Sequence, residues 1–237
     1  MRKPTNPIHE EENGRALAAH TALFPCRHVL WDWNGTLLDD RDYAIQVRNR
    51  VFPRFGLPPI SSVEEYYRQF TFPIRVYYER GGVTEEMFAA VADAWMREYV
   101  AGCRAIPLHG QAVEALRAVQ AAGLSQAVLS ASQADILEKQ LNQYGIREYF
   151  QDVLGLPHIY ATGKADLGRT YLKRISVRPE ACVLLGDTLH DADVACEMGV
   201  RCILIAGGHQ GADRLAEAKA PVCADLMEAA ELVLRSE

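Results

Sequence analysis

Short apolar runs alternate with longer segments of helical periodicity over most of the chain. The apolar runs end at polar or glycine-containing turns, as buried strands do, and they lie at residues 28–31, 126–130, 152–154, 182–185 and 202–206. Segments with apolar residues at helical spacing lie between them, at residues 111–122, 134–144, 164–174 and 191–198. Strands that alternate with helices are typical of a parallel sheet covered on both faces. The pattern therefore predicts an α/β core in a three-layer αβα arrangement.

The alternation is interrupted once, between residue 40 and about residue 108. This stretch has no convincing strand pattern, and its amphipathic segments lie at residues 42–52, 63–70 and 85–100. A small helical domain inserted after the first strand is the simplest account. The predicted organisation is a tail with a short helix at residues 1–26, an α/β core at residues 27–40 and 108–237, and a helical cap at residues 41–107.

The bulk composition is that of an ordinary soluble protein, with 49% hydrophobic and 24% charged residues among 237. The net charge of −6 argues against nucleic acid or an anionic membrane as the main partner. No apolar run approaches the roughly 20 residues of a membrane helix, and the polar N-terminus lacks the apolar stretch of a secretion signal. The six cysteines form no CxxC pair, which indicates reduced thiols and no zinc site. We expect a cytoplasmic protein that is a monomer or a weak dimer.

Polar residues that could take part in catalysis or ligand binding lie where the predicted strands end or turn. They are Asp32, Asn34, Gly35 and Thr36 after the first run, Ser130 at the end of the second, Lys164 at a predicted helix start, and Asp187 and Asp191 after the fourth. Ligands of parallel sheets bind at the carboxyl ends of the strands, so we expect these side chains to converge. Carboxylate oxygens suit a hard cation such as Mg²⁺, and a glycine turn brings backbone amides close to an anion.

In type and order these residues resemble the signatures of the haloacid dehalogenase superfamily. Its motifs are DxDGT after the first strand, Ser or Thr after the second, a later Lys, and GDxxxD after the fourth. The match runs in order over about residues 28–206. The inserted helices and the stretches 34–40, 70–73 and 186–191 look most like the phosphoglycolate-phosphatase-like branch. The resemblance implies a Rossmann-like core with a helical cap.

The resemblance also implies a reaction, the hydrolysis of a small phosphorylated metabolite through an aspartyl-phosphate on Asp32. The implied metal is Mg²⁺, and its implied ligands are Asp32, the backbone carbonyl of Asn34, Asp187 and Asp191. The implied catalytic residues are Asp32, Asn34, Ser130 and Lys164, and the implied phosphate-binding residues are Gly35, Thr36, Ser130 and Lys164. In the cap, Phe72 and Arg75 are candidate substrate contacts, since a guanidinium suits a carboxylate or a second phosphate.

One position departs from the family pattern, because its second aspartate is Asn34 here. In the resemblance that aspartate protonates the leaving alcohol and later activates water, which contributes about 10²–10⁴-fold. The leaving group could instead be acidic, as in an acyl phosphate, or His190 or His209 could act in its place. Two further alternatives are a catalytically weak protein that binds a phosphorylated metabolite or a protein partner, and deamidation at Asn34-Gly35, which would restore an aspartate in some molecules.

Overall fold

The computed structural model describes residues 25–156 and 163–235. Six strands form one parallel sheet in the order β3-β2-β1-β4-β5-β6. They are β1 (His28–Trp31), β2 (Ser125–Gln133), β3 (Asp152–Leu156), β4 (Cys182–Gly186), β5 (Arg201–Ile205) and β6 (Val222–Cys223). The predicted α/β fold is confirmed, and each predicted apolar run lies in a strand. Strand β6 was not predicted, because two residues are too few to show a pattern.

Four α-helices lie between residues 41 and 102, after β1. They are α1 (Arg41–Val51), α2 (Val63–Gln69), α3 (Ile74–Arg80) and α4 (Glu85–Gly102). Helix α3 was not predicted; it spans only seven residues between Pro73 and Gly81. We call residues 41–105 the insertion; its status as a separate cap domain stays a prediction.

The remaining helices cover the sheet. They are α5 (Ala112–Ala121), α6 (Ala134–Gln143), α7 (Lys164–Arg174), α8 (Leu189–Met198), α9 (Ala212–Leu215) and α10 (Leu226–Leu234). Helices α9 and α10 were not predicted, although the spacing of the buried residues of α10 is helical.

Both faces of the sheet are buried, as the apolar strands require. Along β1, Val29 and Trp31 belong to one hydrophobic cluster with residues of α5, α6, α10 and the insertion. Leu30, which points to the opposite face, belongs to a second cluster with residues of α7 and α8. Continuous apolar strands are typical of sheets that have helices on both faces.

The strand order places a topological switch at the centre of the sheet. Strand β1 lies between β2 and β4, with Trp31 in register with Val128 on one side and Leu185 on the other. The chain runs from β1 to β2 and β3 on one side, and then crosses to β4 on the other. Such a point leaves a crevice at the carboxyl ends of the strands, where ligands of α/β sheets bind.

Three further sequence predictions concern a membrane helix, the N-terminal tail and the cysteines. Within the ranges 25–156 and 163–235, no helix combines the length and apolarity needed to cross a membrane. The predicted tail and short helix at residues 1–26 lie almost wholly outside the described residues. All six cysteines are described, and none of them forms a disulfide.

Candidate active site

The switch point brings the predicted acidic residues into one buried cluster. Asp32 follows β1, Asp187 follows β4, and Asp191 lies in the first turn of α8. One oxygen from each carboxylate lies within 4.8 Å of the other two. Lys164, the first residue of α7, donates from Nζ to Asp32 Oδ1 and to Asp191 Oδ1, both at 2.6 Å. Side chains from three separate parts of the chain therefore meet at one point.

Two glycines allow the backbone to approach this cluster closely. Gly35 has a φ of +76°, and a Cβ at this position would lie 2.3 Å from Asp187 Oδ2. A Cβ at Gly208 would also lie 2.3 Å from that oxygen. The Gly35 N–H donates to Leu38 O at 2.9 Å and to Asp40 Oδ1 at 2.8 Å. The turn itself uses this amide, and its proposed contact with phosphate stays a prediction.

Hydroxyl groups orient the carboxylates. Thr36 Oγ1 donates to Asp187 Oδ1 at 2.9 Å. Thr188, the N-cap of α8, donates from Oγ1 to Asp191 Oδ2 at 2.7 Å, so Asp191 closes a capping box and also binds Lys164. Ser130 lies where the register of β2 with β3 becomes irregular, and its buried Oγ accepts from Ser132 N at 3.0 Å. All the predicted core residues thus lie in or beside the cluster.

The charge balance of the cluster is incomplete without a further cation. Burial raises the pKa of Asp32 to about 7, against the attraction of Lys164, and the Asp191 and Asp187 carboxylates raise it further. Burial likewise raises the pKa of Asp187. The three converging carboxylates have one ammonium group beside them, which pairs with Asp32 and Asp191 and not with Asp187. Their oxygen ligands, spacing and unbalanced charge fit a hard divalent cation such as Mg²⁺.

Asn34 is held by three hydrogen bonds that the sequence does not reveal. Its Nδ2 donates to Asp40 Oδ2 at 2.8 Å and to Tyr99 OH at 2.9 Å, and its Oδ1 accepts from Ser132 Oγ at 2.6 Å. Tyr99 OH also donates to Asp40 Oδ2, at 2.7 Å. The amide thereby joins the end of β1 to helix α4 of the insertion and to β2. Asp40 lies in the stretch 34–40 noted above, but no motif marks Tyr99 or Ser132, because their roles depend on contacts across 65 and 98 positions.

The two histidines proposed to replace the missing aspartate differ in their surroundings. His209 bonds through Nε2 to Asp40 Oδ1 at 3.1 Å and through Nδ1 to Tyr66 OH at 2.7 Å. Burial alone would lower the pKa of His209, but the Asp40 carboxylate raises it to about 9. Burial lowers the pKa of His190, whose ring stacks on Phe72 at 4.5 Å. At neutral pH the His209 ring is therefore protonated at both nitrogens. Both N–H groups already have hydrogen-bond partners, Tyr66 and Asp40.

A cavity of about 210 Å³ lies over the cluster. The carboxylates, Lys164 and Ser130 line its floor, and side chains of the insertion line its opposite side. Phe72 is one of these side chains. Arg75 is not, because its guanidinium pairs with Glu85 and lies over the Phe88 ring at 4.0 Å. The structure therefore brings one of the two predicted cap contacts to the cavity and places the other away from it.

Comparisons with known proteins identify the family and the fold. A model of the haloacid dehalogenase-like hydrolase family matches residues 29–205. Phosphoglycolate phosphatase 1 of Pseudomonas aeruginosa is 25% identical over 230 residues, which cover 88% of this chain and 82% of that protein. Phosphoglycolate phosphatase of Synechococcus elongatus is 22% identical over 180 residues, or 76% and 84% of the two chains. A haloacid dehalogenase-like hydrolase structure from Streptococcus pneumoniae shares the fold, with a TM-score of 0.76 and 17% identity over 87% of this chain and 98% of that one.

Proposed function

Since the chain belongs to the haloacid dehalogenase-like hydrolase family, we propose that it is a Mg²⁺-dependent phosphatase of small phosphomonoesters. The observation that carries the proposal is the buried cluster of Asp32, Asp187 and Asp191 with Lys164 at the switch point of the sheet. The two curated relatives, both named phosphoglycolate phosphatases, support the same class of reaction.

The proposed reaction proceeds through a covalent intermediate on Asp32. A carboxylate oxygen of Asp32 attacks phosphorus, the bond to the leaving oxygen breaks, and water then hydrolyses the aspartyl-phosphate. Lys164, at 2.6 Å from Asp32, offsets negative charge as the carboxylate and the phosphoryl group approach each other. Asp32, Asp187 and Asp191 would hold Mg²⁺, which stabilises charge on the phosphoryl oxygens when it is bound. The side chains of the insertion exclude bulk water from the cavity.

The direct test is the release of inorganic phosphate from a panel of phosphomonoesters. Purified protein is assayed with Mg²⁺ and again after addition of EDTA, beside the variant Asp32→Asn. The proposal expects release that needs both Mg²⁺ and Asp32. Equal release by the wild type and the variant, or none from any ester, contradicts it. In the second outcome, binding of an ester without turnover would favour the catalytically weak alternative.

Metal binding at the cluster can be measured without turnover. Mg²⁺ at 100 times its dissociation constant should raise the free energy of unfolding by about 2.7 kcal/mol, since it binds the folded state only. Asp187→Asn removes one carboxylate and should shrink this gain at least by half. The control is Asp193→Asn, an exposed position on α8, which should keep the full gain. Thermal unfolding with and without Mg²⁺ provides the measurement, and an equal shift in both variants would argue against the site.

Asn34→Asp should restore general acid catalysis. The new carboxyl would lie beside Asp40, at the position where Asn34 Nδ2 is now 2.8 Å from Asp40 Oδ2. The two carboxylates can share a proton, and the charge of Asp40 raises the pKa of the new carboxyl toward neutral pH. For an aliphatic phosphate we therefore expect kcat to rise by about 10²-fold. The double variant Asn34→Asp/Asp40→Asn lacks the paired carboxylate. If it shows the same rise in kcat as Asn34→Asp, proton sharing with Asp40 is excluded as the cause.

A further inference from the structure

The side of the cavity opposite the acidic cluster is aromatic. Six rings from the insertion line it: Phe70, Phe72, Tyr77, Tyr78, Trp95 and Tyr99. We call these six rings the aromatic wall; within it, the Phe70 ring lies 5.6 Å from that of Phe72 and 5.2 Å from that of Tyr77, which lies 5.8 Å from that of Tyr78. Trp95 stacks on Tyr99 at 4.9 Å. Such a wall favours an aromatic ring, which gains offset or edge-to-face contacts in addition to its burial.

The same side of the cavity offers little to a negatively charged leaving group. Among the lining residues in the described ranges, Lys164 is the only Lys or Arg, and its ammonium is bound to Asp32 and Asp191. Asp40 and His209 also line the cavity, and they pair with each other, since Asp40 Oδ1 lies 3.1 Å from His209 Nε2. A substrate carboxylate there would be desolvated beside Asp40 without a free cation, which is costly.

The arginines of the insertion do not change this conclusion. Arg48 is buried behind the wall, with its guanidinium 4.4 Å from the centre of the Phe52 ring and 5.4 Å from that of Tyr77. It donates to Gln69 Oε1 at 2.9 Å and does not line the cavity. Arg75 pairs with Glu85.

The fate of the leaving-group proton points in the same direction. The Asn34 amide has no acidic proton, and its three hydrogen bonds are all made within the protein. Without an acid at this position, the leaving group that departs most readily is one that is stable as an anion. A phenol has a pKa of about 10, whereas an aliphatic hydroxyl is close to water at about 15.7. A phenolate can leave without an acid far more readily than an alkoxide.

From the wall and from Asn34 together we infer that the substrate is a small aryl phosphate, the ester of phosphate with an aromatic hydroxyl. The inference rests on the proposed phosphatase function, because the same cavity must be its site. Asp32 forms the bond to phosphorus while the bond from phosphorus to the aryl oxygen breaks, and the electron pair leaves on the phenolate. Water then cleaves the aspartyl-phosphate, which releases inorganic phosphate and regenerates Asp32, and the phenolate takes up a proton from solvent. The volume of about 210 Å³ indicates a single ring, since sites for drug-sized ligands occupy about 300–1,000 Å³.

Three esters distinguish the effect of an aromatic ring from the effect of an acidic leaving group. Phenyl phosphate has both features, benzyl phosphate has the ring with an aliphatic leaving oxygen, and phosphoglycolate has a carboxylate and no ring. Steady-state kinetics with Mg²⁺ should give phenyl phosphate a kcat/KM at least about 100-fold above that of phosphoglycolate, with benzyl phosphate in between. Phosphate release that depends on Asp32 but is as fast from phosphoglycolate as from phenyl phosphate overturns the inference and leaves the proposed function standing. No release from any ester means that the proposed function itself fails.

A pair of variants tests the role of the wall. Ile74 lines the cavity and is 40% exposed, while Val100 on α4 is 42% exposed and does not line it. Ile74→Arg adds a cation beside the leaving group and should raise kcat/KM for phosphoglycolate about tenfold relative to phenyl phosphate. Val100→Arg adds the same charge elsewhere on the insertion and should leave that ratio unchanged. If the two variants shift the ratio equally, or neither shifts it, the cavity does not select the leaving group and the inference is wrong.

Discussion

Replacement of Asp32 by asparagine is expected to lower the rate of phosphate release by about 10⁴–10⁶-fold, as removal of a covalent nucleophile does. The amide keeps the shape of the carboxyl but has no anionic oxygen to attack phosphorus. The measurement is kcat for the best ester of the panel, with Mg²⁺ at saturation. Asp193→Asn, which makes the same chemical change at an exposed position of α8, should retain wild-type activity. A loss of less than tenfold in Asp32→Asn would exclude Asp32 as the nucleophile.

The stability of Asp32→Asn shows whether its loss of activity comes from the missing nucleophile or from unfolding of the protein. Folding raises the pKa of Asp32 from 3.8 to about 7, so the folded state holds this proton more tightly than the unfolded state does. The charge of Asp32 therefore costs stability as pH rises from about 4 to 7, and the cost is complete above 7. Asparagine carries no such charge. In EDTA at pH 8 we expect Asp32→Asn to melt above the wild type, and at pH 4 the difference should vanish.

Lys164→Met is expected to have the largest effect on stability. Burial alone would lower the pKa of Lys164, but the Asp191 and Asp32 carboxylates raise it above its usual value, so the ammonium stays charged. Methionine fills a similar volume but leaves the carboxylates without their cation. Removal of one partner of a buried ion pair costs about 3–5 kcal/mol. We expect a loss of that size in the free energy of unfolding, measured by urea titration in EDTA at pH 8.

The pH dependence of this loss identifies its cause. At pH 5 the raised pKa values of Asp32 and Asp187 leave both groups largely protonated, so the loss in Lys164→Met should shrink. Lys173→Met, an exposed position on the same helix, should change stability by less than about 0.5 kcal/mol. An equal loss at both pH values would assign the effect to packing and not to charge. In activity we expect Lys164→Met to lose about 10²–10³-fold, the usual effect of removing one group that stabilises charge in the transition state.

Much of the core and the chemical cluster could be predicted from local signals. The apolar runs locate five strands to within a few residues, because a strand buried on both faces must be apolar throughout. The order of Asp32, Ser130, Lys164 and Asp187 then places them at one edge of the sheet, because parallel strands all end on the same side. Strand β6 escaped prediction because a period cannot be read from two residues.

The pattern could not supply what depends on contacts between distant segments. Arg75 is a reasonable anion ligand by residue type, yet its position on α3 directs it to Glu85 and Phe88. The partners of Asn34 come from residues 40, 99 and 132. Nothing in the local sequence of any of these residues marks its role.

The sequence by itself determined the α/β class, the position of the helical insertion and the residues that form the acidic cluster, because burial and strand direction follow from periodicity and order. Only the tertiary structure decided the environment of that cluster. It placed an aromatic wall over the cavity, saturated Asn34 with three partners and left Lys164 as the only Lys or Arg among the described lining residues. Such features depend on how the insertion packs against the strand ends, and packing between distant segments leaves no periodic trace in either of them.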